Sequence, residues 1–407
     1  MNARAAIGQG FSYGLLIFTL TVLIGLVNAS KILGELSRDT LLTHLHSGTL
    51  GWITIGVVSV AAWVFGASTP NLARNFILTA LGTAFYVLAF WSGNFVARAV
   101  FGSIELVIIL AWWWFVVSSS MKEGFGRIDV PKLGILLALT TLIIGSTLGV
   151  IVQIQFATGS ASPQTADLIG THAAAQVAGY LVLVAAAIAE WQLVGSGKRT
   201  MAGTIQNALL FIAGIALAVG FLFGIQPFLI VANLCQVVGI VMIVIRLGRR
   251  ALGVPWGAAT GARHAAITIP WLAVALALTV TLTQLVIANN GDFSKVPVGL
   301  VHALDHSMFV GVMTNVLFGA ILAYTADRPR TWPWADHVIF WGMNLGAAAF
   351  IVVLLTVGTS AGAKAFAHPV AFTAPIMGLS VLLGIATFWM RLRSPAVSAP
   401  AASPMRA

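Results

Sequence analysis

Charge is what this 407-residue chain has least of. Only 8% of its residues are Asp, Glu, Lys or Arg, and only 11 of them are acidic. With 59% hydrophobic residues and a mean hydropathy of +0.98, a water-soluble globular domain is excluded. Cysteine is almost absent too. Cys235 stands alone inside an apolar segment, which excludes an internal disulfide, a Cys-ligated iron–sulfur cluster and covalent C-x-x-C-H haem attachment. Long polar loops are missing, so no soluble domain fits between the apolar runs.

What fills the chain is twelve apolar runs, near 10–30, 41–66, 74–97, 99–119, 132–157, 171–195, 203–223, 227–247, 266–288, 300–324, 335–358 and 368–390. Each is long enough to cross a hydrocarbon core of about 30 Å. The expected fold is therefore all-α, a single polytopic membrane domain over 1–395, with an Ala/Pro/Ser-rich, disordered tail at 396–407. The first run is too long for a signal-peptide core and leads into Lys31 without a cleavage site, so it is expected to remain as the first span.

The net charge of +10 invites a nucleic-acid partner, but its distribution argues against one. The N-terminus, the loops after even-numbered spans and the tail hold 16 of the 21 Lys and Arg residues, and the other side holds five. That asymmetry predicts both termini in the cytoplasm and assigns the basic balance to topology. It fits a bacterial cytoplasmic membrane, with lipid as the surrounding partner.

Histidines are costly in a bilayer, and His44-Leu45-His46 places two of them in one predicted span. Residues two apart on a helix point about 200° away from each other, so the pair suits two large cofactors flanking the helix better than one small ion. Haem, whose commonest axial ligand is imidazole, is the candidate, and without cysteine attachment it is haem b, one or two per chain. Six of the eight histidines fall in one outer layer: His44 and His46, His172, His302 and His306, and His368. His264 and His337 fall in or beside cytoplasmic loops, outside this pattern.

Spacings of 126 from His46 to His172 and 134 from His172 to His306 suggest a four-helix repeat, about 1–131, 132–263 and 264–395. His46-Ser47-x-x-x-Gly51 parallels His306-Ser307-x-x-x-Gly311. The expected ligands are His44, His46, His172 and His306, with one haem between helices 2 and 10 and a second between helices 2 and 6. His302 and His368 are weaker metal-ligand candidates, and a bland interfacial position suits His368 best. Asp305 is placed to orient an imidazole, Glu105 to relay a proton or pair structurally, and Arg98 and Arg38 to neutralise propionates. Glu190 falls near the cytoplasmic interface, where a solvated end residue is expected. The Trp112-Trp113-Trp114 run is read as packing and interfacial anchoring.

The stretch His44-Leu-His46-Ser-Gly-Thr-Leu-Gly51-Trp52 resembles the H-x-H-S-G-x-L-G-W segment of cbb-type haem-copper oxidase catalytic subunits, and its spacing is similar to that of the NnrS haem membrane proteins. The resemblance implies twelve helices in three four-helix arcs, with the H-x-H pair ligating two b-type haems. The departures are clear: the motif lies on the second helix instead of the tenth, and the adjacent His-His pair that helps bind copper has no counterpart in helix 7. Ser47 also stands where NnrS proteins usually carry an acid. Copper is thus a minor expectation, and oxygen reduction with proton pumping is disfavoured.

The resulting expectation is a b-type haem protein with a nitric oxide-related or electron-transfer role. As an enzyme it would be a haem-dependent oxidoreductase acting on nitric oxide or oxygen. Such a role implies a quinol or periplasmic cytochrome donor, and an oligomer or partner subunits. The alternatives are a twelve-helix secondary transporter and a haem or copper assembly factor for a respiratory oxidase.

Overall fold

A computed structural model describes residues 2–68 and 70–396; the tail expected at 396–407 lies outside the described residues except for Ala396. The described chain is all helical, with twelve helices long and apolar enough to cross a membrane. They are α1 (Ala3–Ser30), α2 (Arg38–Val64), α3 (Leu72–Trp91), α4 (Phe95–Glu123), α5 (Val130–Thr158) and α6 (Pro163–Val194). The second half holds α7 (Met201–Phe223), α8 (Gln226–Leu252), α9 (Gly261–Ala288), α10 (Val298–Tyr324), α11 (Ala335–Thr356) and α12 (Val370–Arg393). The third apolar run of the sequence overshoots α3, because a turn at Ser92–Asn94, with Gly93 at φ 71°, separates two equally apolar helices.

Local chemistry sets the helix ends. The side chains of Asn2, Ser37 and Asp129 cap the starts of α1, α2 and α5 by accepting from Ala5, Thr40 and Lys132 N–H groups. An even number of spans returns both ends of the chain to one face of the bundle, here the terminal end. His44, His46, His172 and His306 lie toward the opposite, histidine end.

Three helices stand inside the other nine. In α2, α6 and α10, 78, 72 and 83% of the most apolar stretch is buried, against 28–56% elsewhere. The outer helices turn residues such as Val107, Leu234 and Ile245 outward, giving a multi-pass protein an apolar face for lipid. Successive groups of four helices meet where α4 packs on α5 and α8 on α9, and α12 closes the bundle against α1.

The three inner helices share a second property. Each is interrupted by a π-helical segment, Ser47–Thr54 in α2, Ala175–Leu181 in α6 and Ser307–Thr314 in α10. The fifth residue of every segment is glycine: Gly51, Gly179 and Gly311. A Cβ at Gly51 would stand 2.2 Å from Ile17 of α1, and one at Gly311 would stand 2.4 Å from Trp271 of α9. Glycine there lets an outer helix approach the π backbone. Threonine hydroxyls answer carbonyls that the wider turn exposes: Thr54 donates to Thr49 O at 3.0 Å and Thr314 to Phe309 O at 2.8 Å.

Candidate functional site

Counting from the π segments puts the inner helices in register. His44 and His172 both stand three residues before their segments, where α10 has Leu304. His46 and His306 both stand one residue before, where α6 has Ala174. The structural partner of His172 is therefore His44; the 126- and 134-residue spacings align it instead with His46 and His306.

Each class is held in its own way. The first leans on the preceding outer helix: His44 Nδ1 meets Thr21 O of α1 at 2.8 Å, and His172 Nδ1 meets Gly145 O of α5 at 2.7 Å. Four residues after each carbonyl comes a glycine whose Cβ would collide with the ring. At Gly25 it would lie 3.0 Å from His44 Cε1, and at Gly149 it would lie 2.9 Å from His172 Cε1. The second class bonds its own helix, His46 Nδ1 to Leu42 O and His306 Nδ1 to His302 O, both at 2.8 Å. Its rings rest on phenylalanines of the following helix. Phe90 stacks on His46 at 3.7 Å between centroids, and Phe350 tilts against His306 at 4.7 Å.

A carbonyl oxygen accepts and cannot donate, so all four Nδ1 atoms carry a proton, and in the neutral ring Nε2 is then the free lone pair. Each ring is half-buried in the interior of the bundle, so it borders open space. His44 lies within Coulombic range of His306 and His302, and His46 within range of His172. The α2 pair thus splits between two neighbours, His44 toward α10 and His46 toward α6. One cyclic rule covers both sites: the earlier histidine of one inner helix lies within Coulombic range of the later histidine of the next. The third interface, α10 to α6, has Leu304 and Ala174 at those positions.

The remaining candidates divide. Arg98 is buried and layered over Phe90 at 4.7 Å, the ring that stacks on His46. Its guanidinium donates to Asp39 Oδ1 at 2.5 Å and Phe90 O at 2.8 Å, closing the end of α3. Arg38 is exposed and has no side-chain partner among the described residues. His302 is exposed one turn before His306, and Asp305 beside it is half-buried without a side-chain partner among the described residues. His368 Nδ1 accepts from Val370 N–H at 3.3 Å at the start of α12. Among the described residues, no three His, Cys, Asp or Glu side chains are grouped to hold a metal ion.

Glu105 is buried in α4. Thr83 donates to its Oε1 at 2.9 Å, while Oε2 has no partner and borders a narrow cleft lined by Thr54, Thr79, Ile108 and Trp112. The tryptophan run is mostly packing: Trp112 and Trp113 donate to Thr79 and Thr140, and Trp114 is exposed.

Two residues correct their expected surroundings. Glu190 is not a solvated end residue; it is buried and ion-paired with Arg246 of α8, which also donates to Gln206 at 2.6 Å. His264 lies within α9, fully buried, with Nδ1 at 2.9 Å from Asn315 Oδ1. Asn315 in turn donates to Gly311 O at 2.8 Å, answering another carbonyl of the α10 π segment.

Residue identity alone did not flag Gly25, Gly149, Phe90 and Phe350, which shape the ring positions. Spacing could have found others: Trp52 and Tyr180 each follow a histidine by eight residues, as do Thr54 and Thr314. No protein-family model matches the chain, and no curated protein matches it.

Proposed function

We propose that the protein is a b-type cytochrome of the bacterial cytoplasmic membrane with two haems, one held by His44 and His306 between α2 and α10, the other by His46 and His172 between α2 and α6. One observation carries this reading: four half-buried imidazoles on the inner helices, grouped two and two by their Coulombic influence on one another, every Nδ1 engaged by a backbone carbonyl and no Nε2 given a partner among the described residues. That is the tautomer a metal ligand requires, with the outer hydrogen bond that orients the ring. The donor set fits haem, because two neutral imidazoles satisfy an iron that brings its other four ligands with it. Gly25 and Gly149 keep space beside the rings clear, Phe90 and Phe350 supply apolar walls, and Arg98, layered on Phe90, is a cation within Coulombic range of His46.

With two imidazoles available at each site, a bound haem would be held by histidine alone, which favours electron transfer over binding of nitric oxide or oxygen. Haem then supplies one-electron chemistry at two points on either side of a single helix. A quinol or periplasmic cytochrome is the donor class suited to sites near the outer end. Copper forms no part of the proposal. The short likeness of His44–Trp52 to cbb-type oxidases and the NnrS spacing point the same way.

The test is a reduced-minus-oxidised spectrum with a pyridine haemochrome assay on detergent-purified protein. The expected result is two haems b per chain, falling to one in His172→Ala and one in His306→Ala. Nitric oxide should leave the spectrum of the wild type unchanged; a prompt shift would assign gas chemistry to one site. Colourless protein after haem-replete expression overturns the reading.

A further inference from the structure

Imidazoles are not the only paired groups that recur between the inner helices. Eight residues after His172, the Tyr180 hydroxyl donates to Thr54 Oγ1 at 3.3 Å. Eight residues after His44, Trp52 Nε1–H donates to Thr314 Oγ1 at 3.1 Å. The two acceptors themselves follow His46 and His306 by eight residues. Each pair of helices therefore carries two features in parallel, an imidazole pair near the histidine end and an aromatic donor bonded to threonine about 12 Å deeper.

The direction of these bonds is fixed. Thr54 and Thr314 spend their single proton on Thr49 O and Phe309 O inside their own π segments, so toward the neighbour they can only accept. The indole N–H can only donate, and all four side-chain partners are buried. The third interface is the control supplied by the molecule. Where it has Leu304 and Ala174 in place of histidines, it has Val312 and Val182 in place of donor and acceptor. The third interface is held differently: Gln192 Nε2 of α6 donates to Val316 O of α10 at 2.8 Å, below the level of Val312 and Val182. The aromatic–threonine bond occurs only at the two interfaces, among the described residues, that carry imidazole pairs.

We propose that Tyr180–Thr54 and Trp52–Thr314 are positioning pairs, each setting the geometry of the imidazole pair above it and leaving the other unaffected. The proposal rests on the two-haem reading. Each bond pins the foot of one π segment to the next helix, and the histidines stand at the head of the same segments. Loss of a foot bond lets that helix rotate or slide, which changes the angle and separation of one ring pair.

The experiment is low-temperature electron paramagnetic resonance of the oxidised protein, together with a redox titration. His172→Ala and His306→Ala assign one low-spin signal to each site. Thr54→Val and Tyr180→Phe should then shift the signal and midpoint potential of the α2–α6 haem only, and Thr314→Val those of the α2–α10 haem only. Thr54→Ser and Thr314→Ser, which keep the hydroxyl, should restore them. Equal movement of both signals in every variant, or movement of neither, overturns the proposal.

A second arm needs no haem. In a Cys235→Ser background, the pair His46→Cys and His172→Cys is cross-linked by a short bismaleimide. Tyr180→Phe should slow this reaction several-fold and Thr314→Val should not; equal rates overturn the positioning role. Absence of haem with the expected cross-linking pattern would strike the haem reading alone.

Discussion

Gly51→Ala should strike both the stability of the bundle and one imidazole pair. The added Cβ would lie 2.2 Å from Ile17 Cγ2 and 2.9 Å from Ile17 Cβ. Ordinary carbon contacts need about 3.6 Å, so α1 and α2 must part by about 1.4 Å. Overpacking of this kind costs about 1–3 kcal/mol. Thr21 follows Ile17 by one turn on the same side of α1, and its carbonyl holds His44 Nδ1 at 2.8 Å while its hydroxyl meets Ser47 Oγ at 2.7 Å. The same displacement stretches the first contact to about 4 Å, beyond hydrogen-bonding range.

Losing the bond that orients a ligating imidazole lowers metal affinity by roughly 10- to 100-fold. On the proposed reading, Gly51→Ala loses haem from the α2–α10 site and keeps it at the α2–α6 site. Unfolding in mixed micelles and haem stoichiometry on one preparation read both effects. Ile17→Ala removes the atom 2.2 Å away, so Gly51→Ala/Ile17→Ala should cost at least about 1 kcal/mol less than the sum of the single changes. Additivity within about 0.5 kcal/mol, or equal haem loss from both sites, would refute the reasoning.

Glu190→Gln leaves the guanidinium of Arg246 in the bundle without its counter-charge and should cost about 3 kcal/mol, read as a lower unfolding midpoint; Arg246→Met in the same chain should recover part of it. At the histidine end, Lys31 and the Gly362 N–H hold the Glu35 carboxyl below the usual carboxylate range, joining the α1–α2 and α11–α12 loops. A lowered folded-state value means the contribution is complete above the ordinary glutamate range and is lost as pH falls through the lowered value. Wild-type and Glu35→Gln melting curves should therefore differ at neutral pH and converge in acid; a difference that persists in acid contradicts the assignment.

The twelve spans were legible because hydrocarbon demands long apolar helices, and the histidine layer because imidazole in such a helix needs a reason. The inner position of α2, α6 and α10 could be anticipated from the same histidines. Register was not legible. Letter spacing aligned His172 with His46 and His306, whereas backbone hydrogen bonding aligns it with His44. A π turn changes which residues share a face without any residue type announcing it. The surroundings of Glu190 were not legible for a similar reason: Glu190 and Arg246 are 56 residues apart in sequence, and only packing of α6 against α8 brings them together. His264 looked like a loop residue because its partner, Asn315, sits 51 residues away in α10.

Twelve helices with an internal repeat also describe many transporters, so the axis below the histidines decides between the classes. A substrate or proton path along it would need accessible polar groups from one end to the other. Beneath the imidazoles the inner helices instead bury Trp52, Val57, Val60, Leu183, Val184, Leu317, Phe318 and Ile321, all no more than 1% exposed. Polar side chains there are few and isolated, held in bonds such as Tyr180–Thr54, Trp52–Thr314 and Gln192 Nε2 to Val316 O. Histidines serving a path would also need to change protonation or rotate, yet each of the four is clamped at Nδ1 by a carbonyl of a helix backbone. Proteoliposomes carrying the protein should accordingly hold a pH gradient as long as empty vesicles do. A leak that His306→Ala abolishes would show that the imidazoles line a passage and would displace the cytochrome reading.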